Sequence, residues 1–203
     1  MIWDSQPWRS HLLADACALA TRAKTKRITE RRSALVERAV FFGAYSMRKL
    51  DDAKKLSTSW KGRALKCMRY PFTGEVPDLL NWHHIDRHYD LSKPTKSTMG
   101  ARDFCDLVVH SFIFSETIHD NRTIDGFFIT SDRLKKQGLW YFEVRMIVGL
   151  MEQTAKDNPP SAYMSRDPDT GEFEVWAGDG EQPVSWKKKV EKLAARRSVL
   201  LAK

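Results

Sequence analysis

The chain has 203 residues, of which 42% are apolar and 11% aromatic, with a formal charge of +8. That length and apolar share exclude a disordered chain and suffice for one domain with a buried core. The longest apolar run, Val144 to Met151, is broken by Arg145 and falls short of the ~18 residues a membrane span needs.

The first expected element is a helix capped by Asp4 or Ser5, with Pro7 in its first turn. Trp8, Leu12, Leu13, Ala16, Cys17 and Ala20 mark its apolar side. The basic connector Arg22 to Arg27 leads to Thr29, the expected cap of a second helix reaching about Leu50. There Leu35, Val36, Ala39, Val40, Gly43, Met47 and Leu50 form a wide stripe, while Phe41 and Tyr45 lie off it. Gly43 costs about 1 kcal/mol of helix propensity, which points to a close helix–helix approach there. A short helical piece over 51–56 should follow.

Loose alternation from Arg63 to Phe72, ending around Pro71, predicts a strand. Residues 73–100 are rich in Pro, Gly, Asp and Ser and are expected to be irregular, apart from a short helix over His83 to Tyr89. A helix over Arg102 to Ser111 and a strand at Phe112 to Phe114 come next. Ile124 to Thr130 and Leu139 to Val144 read as a hairpin, followed by a helix to Ala155 that Asn158-Pro159-Pro160 stops. A second hairpin pairs Ala162 to Arg166 with Phe173 to Trp176 about the turn-forming string at 167–171. A basic helix with Trp186, Val190, Leu193, Leu200 and Leu201 on one side closes the chain.

Helices and antiparallel strands are segregated rather than alternated, so the expected class is α+β. The expected architecture is a sheet of about five or six antiparallel strands packed with N-terminal, central and C-terminal helices. One domain over 1–203 should comprise a helical part (1–57), a sheet-containing body (62–180) and a basic helix (183–203). Val36, Val40, Leu107, Val108, Ile147 and Val148 are its expected core.

Charge divides the chain in three: residues 1–70 carry +10, residues 71–182 carry −8 and residues 183–203 carry +6. Such asymmetry points either to basic ends docked on an acidic body or to an external anionic partner. Arg22, Lys24, Lys26, Arg27 and Arg31, joined by Arg32, form one basic cluster. Lys188, Lys192 and Arg196 lie in the other. Lysine and arginine at this density would neutralise several phosphates without reading sequence.

Among the histidines, His84 and His88 are four apart beside His83, the spacing of a helical zinc pair, but Ile85 stands where a zincin carries Glu. His110, His119 and Asp120 would complete a site for a zinc-type divalent metal if the fold converged them. Cys17, Cys67 and Cys105 show no CxxC spacing and fit buried thiols in a reducing compartment, so a cytoplasmic location is expected. Phosphate-binding glycine loops and a GxSxG elbow are absent from the sequence. The expected function is therefore a soluble, non-enzymatic binding or accessory protein. Its basic helical ends would contact nucleic acid or an acidic protein surface, with no membrane involved. The alternative is a hydrolase built on the histidines, metal-dependent if they converge.

Overall fold

The computed structural model of the chain describes residues 2–167, 170–179, 181 and 183–201, the side chains of 185, 189, 193 and 196–201 excepted. Helix α1 runs Gln6–Ala23 from Ser5, with Pro7 in its first turn, and Asp4 accepts the Gln6 N–H at 2.9 Å. Helix α2, Glu30–Asp52, is capped by Thr29, whose hydroxyl accepts the Arg32 N–H at 3.1 Å. The expected helical piece after it is instead a turn, followed by one 3₁₀ turn at Thr58–Gly62 that buries Trp60.

Strand β1 spans Ala64–Tyr70, and a long connection then carries only the four-residue helix α3, Ile85–His88. Strand β2, Thr95–Gly100, lies within the stretch expected to be irregular. Its TKSTMG sequence is half exposed and half partly buried, with no apolar alternation. Pairing with the free edge of β1, in register from Ala64↔Gly100 to Arg69↔Thr95, makes it a strand. Helix α4 follows at Ala101–Val109, then the meander β3 (Ser111–Ile118), β4 (Ile124–Ser131) and β5 (Leu139–Glu143). Helix α5 occupies Val144–Lys156.

The five strands form one antiparallel sheet in the order β2-β1-β5-β4-β3. Helices α4 and α5 lie against it, α2 contacts both of them, and α1 packs on α2 and α5. Leu65, Cys67, Phe127, Ile129, Trp140 and Phe142 point into the core beneath the helices. Of the six expected core residues five are buried, and Val148 is half-buried against the same cluster. At Gly43 the space is filled by the Met151 side chain of α5, whose Cε would lie 2.5 Å from an added Cβ.

Because side chains alternate across a strand, Lys66, Met68, Tyr70, Phe128 and Tyr141 fall on the opposite, outer face. The 71–90 connection folds over one end of that face, where Tyr89, Ile113 and Leu139 form a second cluster with Phe72 and Ile85. The second hairpin, β6 (Ser161–Arg166) and β7 (Phe173–Gly178), makes its own two-stranded sheet. It docks through buried Trp176 and through the Ala177 N–H, which donates to Thr58 Oγ1 at 2.9 Å. Helix α6, Val184–Leu201, leans on β6, with Trp186 half-buried 6.3 Å from the Tyr163 ring.

Candidate functional site

The basic connector lies between the end of α1 at Ala23 and the cap of α2 at Thr29. Lys24, Lys26 and Arg27 within it and Arg31 in the first turn of α2 are all exposed, and among the described residues none is within ion-pair distance of a carboxylate. Two arginines of the N-terminal segment are paired, Arg48 with Asp106 at 3.2 Å and Arg63 with Asp157 at 3.4 Å. Arg22 is half-buried close to Asp15, whose carboxyl is pushed up by burial against the pull of Arg38, His11 and Arg22.

Arg32 does not belong to this exposed cluster. It is 6% exposed, and its Nη1 donates to the carbonyls of Thr25 at 2.7 Å and Arg122 at 3.1 Å. The bonds tie the connector to the β3–β4 turn and bring exposed Arg122 beside it. Nε and Nη2 of Arg32 are buried without a partner among the described residues. On α6, Lys188 and Lys192 are exposed, whereas the side chains of Arg196 and Leu193 lie outside the described residues.

A third group of cations rims a cleft in the outer face. Strand β1 pairs with β5 only over Met68–Tyr70, and Ala64–Cys67 are paired on the β2 side alone. The strands part there because the chain leaves β5 at Glu143 to enter α5. The result is a cavity of about 540 Å³, walled by Met68, Tyr141 and Met146 and rimmed by Lys66, Lys96 and Arg145. Glu143 also lines it, but its carboxylate accepts from Arg145 Nε. The Tyr141 ring lies flat over Gly126, where a Cβ would come within 2.6 Å of it, so only glycine allows this placement. Its hydroxyl donates to Asp125, whose other oxygen is 2.9 Å from His119 Nε2. Burial and the Asp125 carboxylate push the Tyr141 phenol well above its ordinary pKa, so it stays protonated and is a poor nucleophile.

A neighbouring cavity of about 380 Å³ has Lys24 in its wall and shares Glu143 and Arg145 with the cleft. The connector and the cleft are thus joined through Arg145. None of Lys66, Lys96, Arg145 and Tyr141 was singled out from the sequence for a ligand role. Lysine 96 sits in the stretch read as irregular. The alternation of Leu65 and Cys67 with Lys66 and Met68 is the local signal that could have marked an outer face.

The histidines proposed for a metal lie apart. His88 is fully buried, with Nδ1 2.9 Å from the Glu75 carbonyl and Nε2 3.0 Å from that of Asn81, so both ring nitrogens brace the 71–90 connection. His84 packs against the His83 ring at 4.0 Å. His110 follows α4, with Nε2 3.1 Å from Arg48 Nη1, while His119 and exposed Asp120 sit in the β3–β4 turn. Among the described residues no three His, Cys, Asp or Glu side chains are grouped to hold a metal ion. Burial pushes both the Cys67 and Cys105 thiols up, away from reactive thiolate.

No helix among the described residues is long and apolar enough to cross a membrane. Comparison with protein-family models, with curated proteins and with solved structures finds no match to this chain.

Proposed function

We propose that the chain is a non-enzymatic nucleic-acid-binding protein whose principal phosphate contacts are Lys24, Lys26, Arg27 and Arg31, with Lys188 and Lys192 adding to the basic surface. The observation that carries the reading is the connector itself. Four cations are exposed within eight residues, and no carboxylate neutralises them among the described residues. Unpaired cations on one surface sum their fields and attract a polyanion. An ion-paired set such as Arg102 with Asp51, Asp52 and Asp106 does not. Three free thiols fit a reducing compartment, and we place the protein in the cytoplasm. For the metal-dependent hydrolase alternative, no three His, Cys, Asp or Glu side chains are grouped among the described residues.

The test is a titration of labelled single- and double-stranded oligonucleotides at ~50 and ~200 mM salt. Neutralising four phosphates predicts a loss of roughly 50- to 150-fold in affinity across that range. Charge reversal at Lys24, Lys26, Arg27 and Arg31 should abolish most of the low-salt binding and flatten the salt dependence. A wild type that binds neither strand form at the lower salt refutes the proposal.

A further inference from the structure

We infer that the cleft between β1 and β5 holds a base of a single-stranded nucleic acid, with the flanking phosphates on Lys66, Lys96 and Arg145. This rests on the nucleic-acid reading above and names the form of nucleic acid and a second contact surface.

Three features select the occupant. The first is shape and chemistry: a cavity of about 540 Å³ walled by Met68, Met146 and the Tyr141 ring offers apolar and aromatic surface to a flat, polarizable group. Tyr141 does not stand alone, because the Phe128 ring lies 5.4 Å from it and Tyr70 lies 5.3 Å from Phe128. Aromatic side chains therefore continue from the cleft to the second cluster, where Phe128 and Tyr70 are half-buried.

The second feature is charge. Lys66 and Lys96 are exposed and have no ion-pair partner among the described residues, and the register Lys66↔Thr98 and Met68↔Lys96 puts them diagonally on one face. Arg145 is exposed at the far lip but paired with Glu143, the carboxylate lining the cleft, so the net positive charge of the rim comes from Lys66 and Lys96. The rim is thus positive over an apolar floor, complementary to a base between phosphates. A duplex keeps its bases stacked inside and could present only its backbone here.

The third feature is continuity. The cavity holding Lys24 shares Arg145 with the cleft, so a strand leaving the cleft passes Arg145 and reaches the basic connector. Of the other acids lining that second cavity, Asp125 is engaged by His119 and Tyr141, which leaves Glu152 on α5 as the unpaired one among the described residues. The cations are spread around the lips instead of converging on one point, which suits a chain of phosphates better than a free nucleotide.

The experiment measures anisotropy of a labelled single strand of about 16 nucleotides, the same sequence as duplex, and a mononucleotide. It uses wild type, Lys66→Glu/Lys96→Glu, Tyr141→Leu, Tyr141→Phe and the connector charge reversal, with circular dichroism confirming that each is folded. Loss of one stacking contact predicts a roughly 5- to 150-fold weaker single-strand complex for Tyr141→Leu, with Tyr141→Phe restoring binding. Lys66→Glu/Lys96→Glu changes only exposed side chains, so it remains informative even if Tyr141→Leu unfolds. It should weaken single-strand binding and leave duplex binding nearly unchanged. Photocrosslinking of a halogenated-uracil strand should label Met68, Tyr141 or Met146. If the connector reversal abolishes single-strand binding while the cleft variants bind like wild type, this inference fails and the nucleic-acid reading survives. If the mononucleotide binds as tightly as the strand, the cleft is a free-nucleotide site and the inference fails. Absence of all binding overturns both.

Discussion

Arg9 sits in α1 yet is only 3% exposed, and its guanidinium serves three backbone carbonyls. Nη1 donates to Thr154 at 3.2 Å and to Asp157, and Nη2 donates to Lys55 at 2.5 Å. These carbonyls belong to the end of α5 and to the turn after α2, where backbone donors run short, and that of Thr154 also accepts the Asp157 N–H at 3.2 Å. One side chain therefore closes two helix ends and holds α1 against both. Burial pulls the Arg9 pKa down, and the opposing charge of Asp157 only partly restores it. Replacement by methionine keeps the apolar stem and removes the donors. Hydrogen bonds to a charged group are worth ~1.5–3 kcal/mol each, so three amount to ~5–9 kcal/mol gross. The desolvation penalty of a buried ion, several kcal/mol, is recovered in the variant. A net loss of about 3–4 kcal/mol is expected, or roughly 6–16 °C in Tm for a chain of this size. Thermal and urea unfolding followed by far-UV circular dichroism measures it, and an unchanged urea slope would show that the same surface is still buried. Arg9→Lys should fall between wild type and methionine, because one ammonium cannot reach all three carbonyls. A loss below about 1 kcal/mol for Arg9→Met would refute the reasoning, since the carbonyls would then have other partners.

Burial pushes the Tyr89 phenol up to about 12, and its hydroxyl donates to the Lys135 carbonyl at 2.9 Å. The folded value lies above the unfolded one of ~10, so its contribution to stability is complete below pH ~10 and is lost as pH rises through the folded value. Wild type should therefore destabilise over that alkaline window, and Tyr89→Phe should flatten the decline in pH-dependent urea midpoints; an identical slope in both would contradict this. At Gly43 the added side chain meets Met151 Cε at 2.5 Å, so Gly43→Leu should cost ~1–3 kcal/mol by overpacking despite its better helix propensity, read as a lower Tm. A stabilised Gly43→Leu protein would mean that the Met151 side chain swings aside at no net cost.

Legibility followed the range over which each signal acts. Thr29 and Asp4 announce helix starts because each side chain bonds to an amide two or three residues on, and Pro7 suits a first helical turn. The stripe on α2 and the β4–β5 hairpin were likewise visible, since side chains four apart on a helix or two apart on a strand share a face. The candidate site was legible only in part. The connector's exposed charges were found, but Arg32 was counted among them although it turns inward to Thr25 and Arg122. Nothing within a few residues of Arg32 distinguishes it from Arg31; the distant Arg122 carbonyl does.

What this sequence determined by itself is the α+β class, the positions of its long helices, the last two hairpins and the lopsided charge, all of which arise from neighbours along the chain. The tertiary structure decided that TKSTMG is a strand, because only the free edge of β1 supplies its hydrogen bonds. It decided where the histidines sit, since His88 follows the carbonyls of Glu75 and Asn81, His119 follows Asp125, His84 packs on His83 and His110 meets Arg48. It also decided that Lys66, Lys96 and Arg145, spread over about eighty residues of sequence, rim one cleft. Strand order and the parting of β1 from β5 at the start of α5 place them there, and neither is written in any local run of residues.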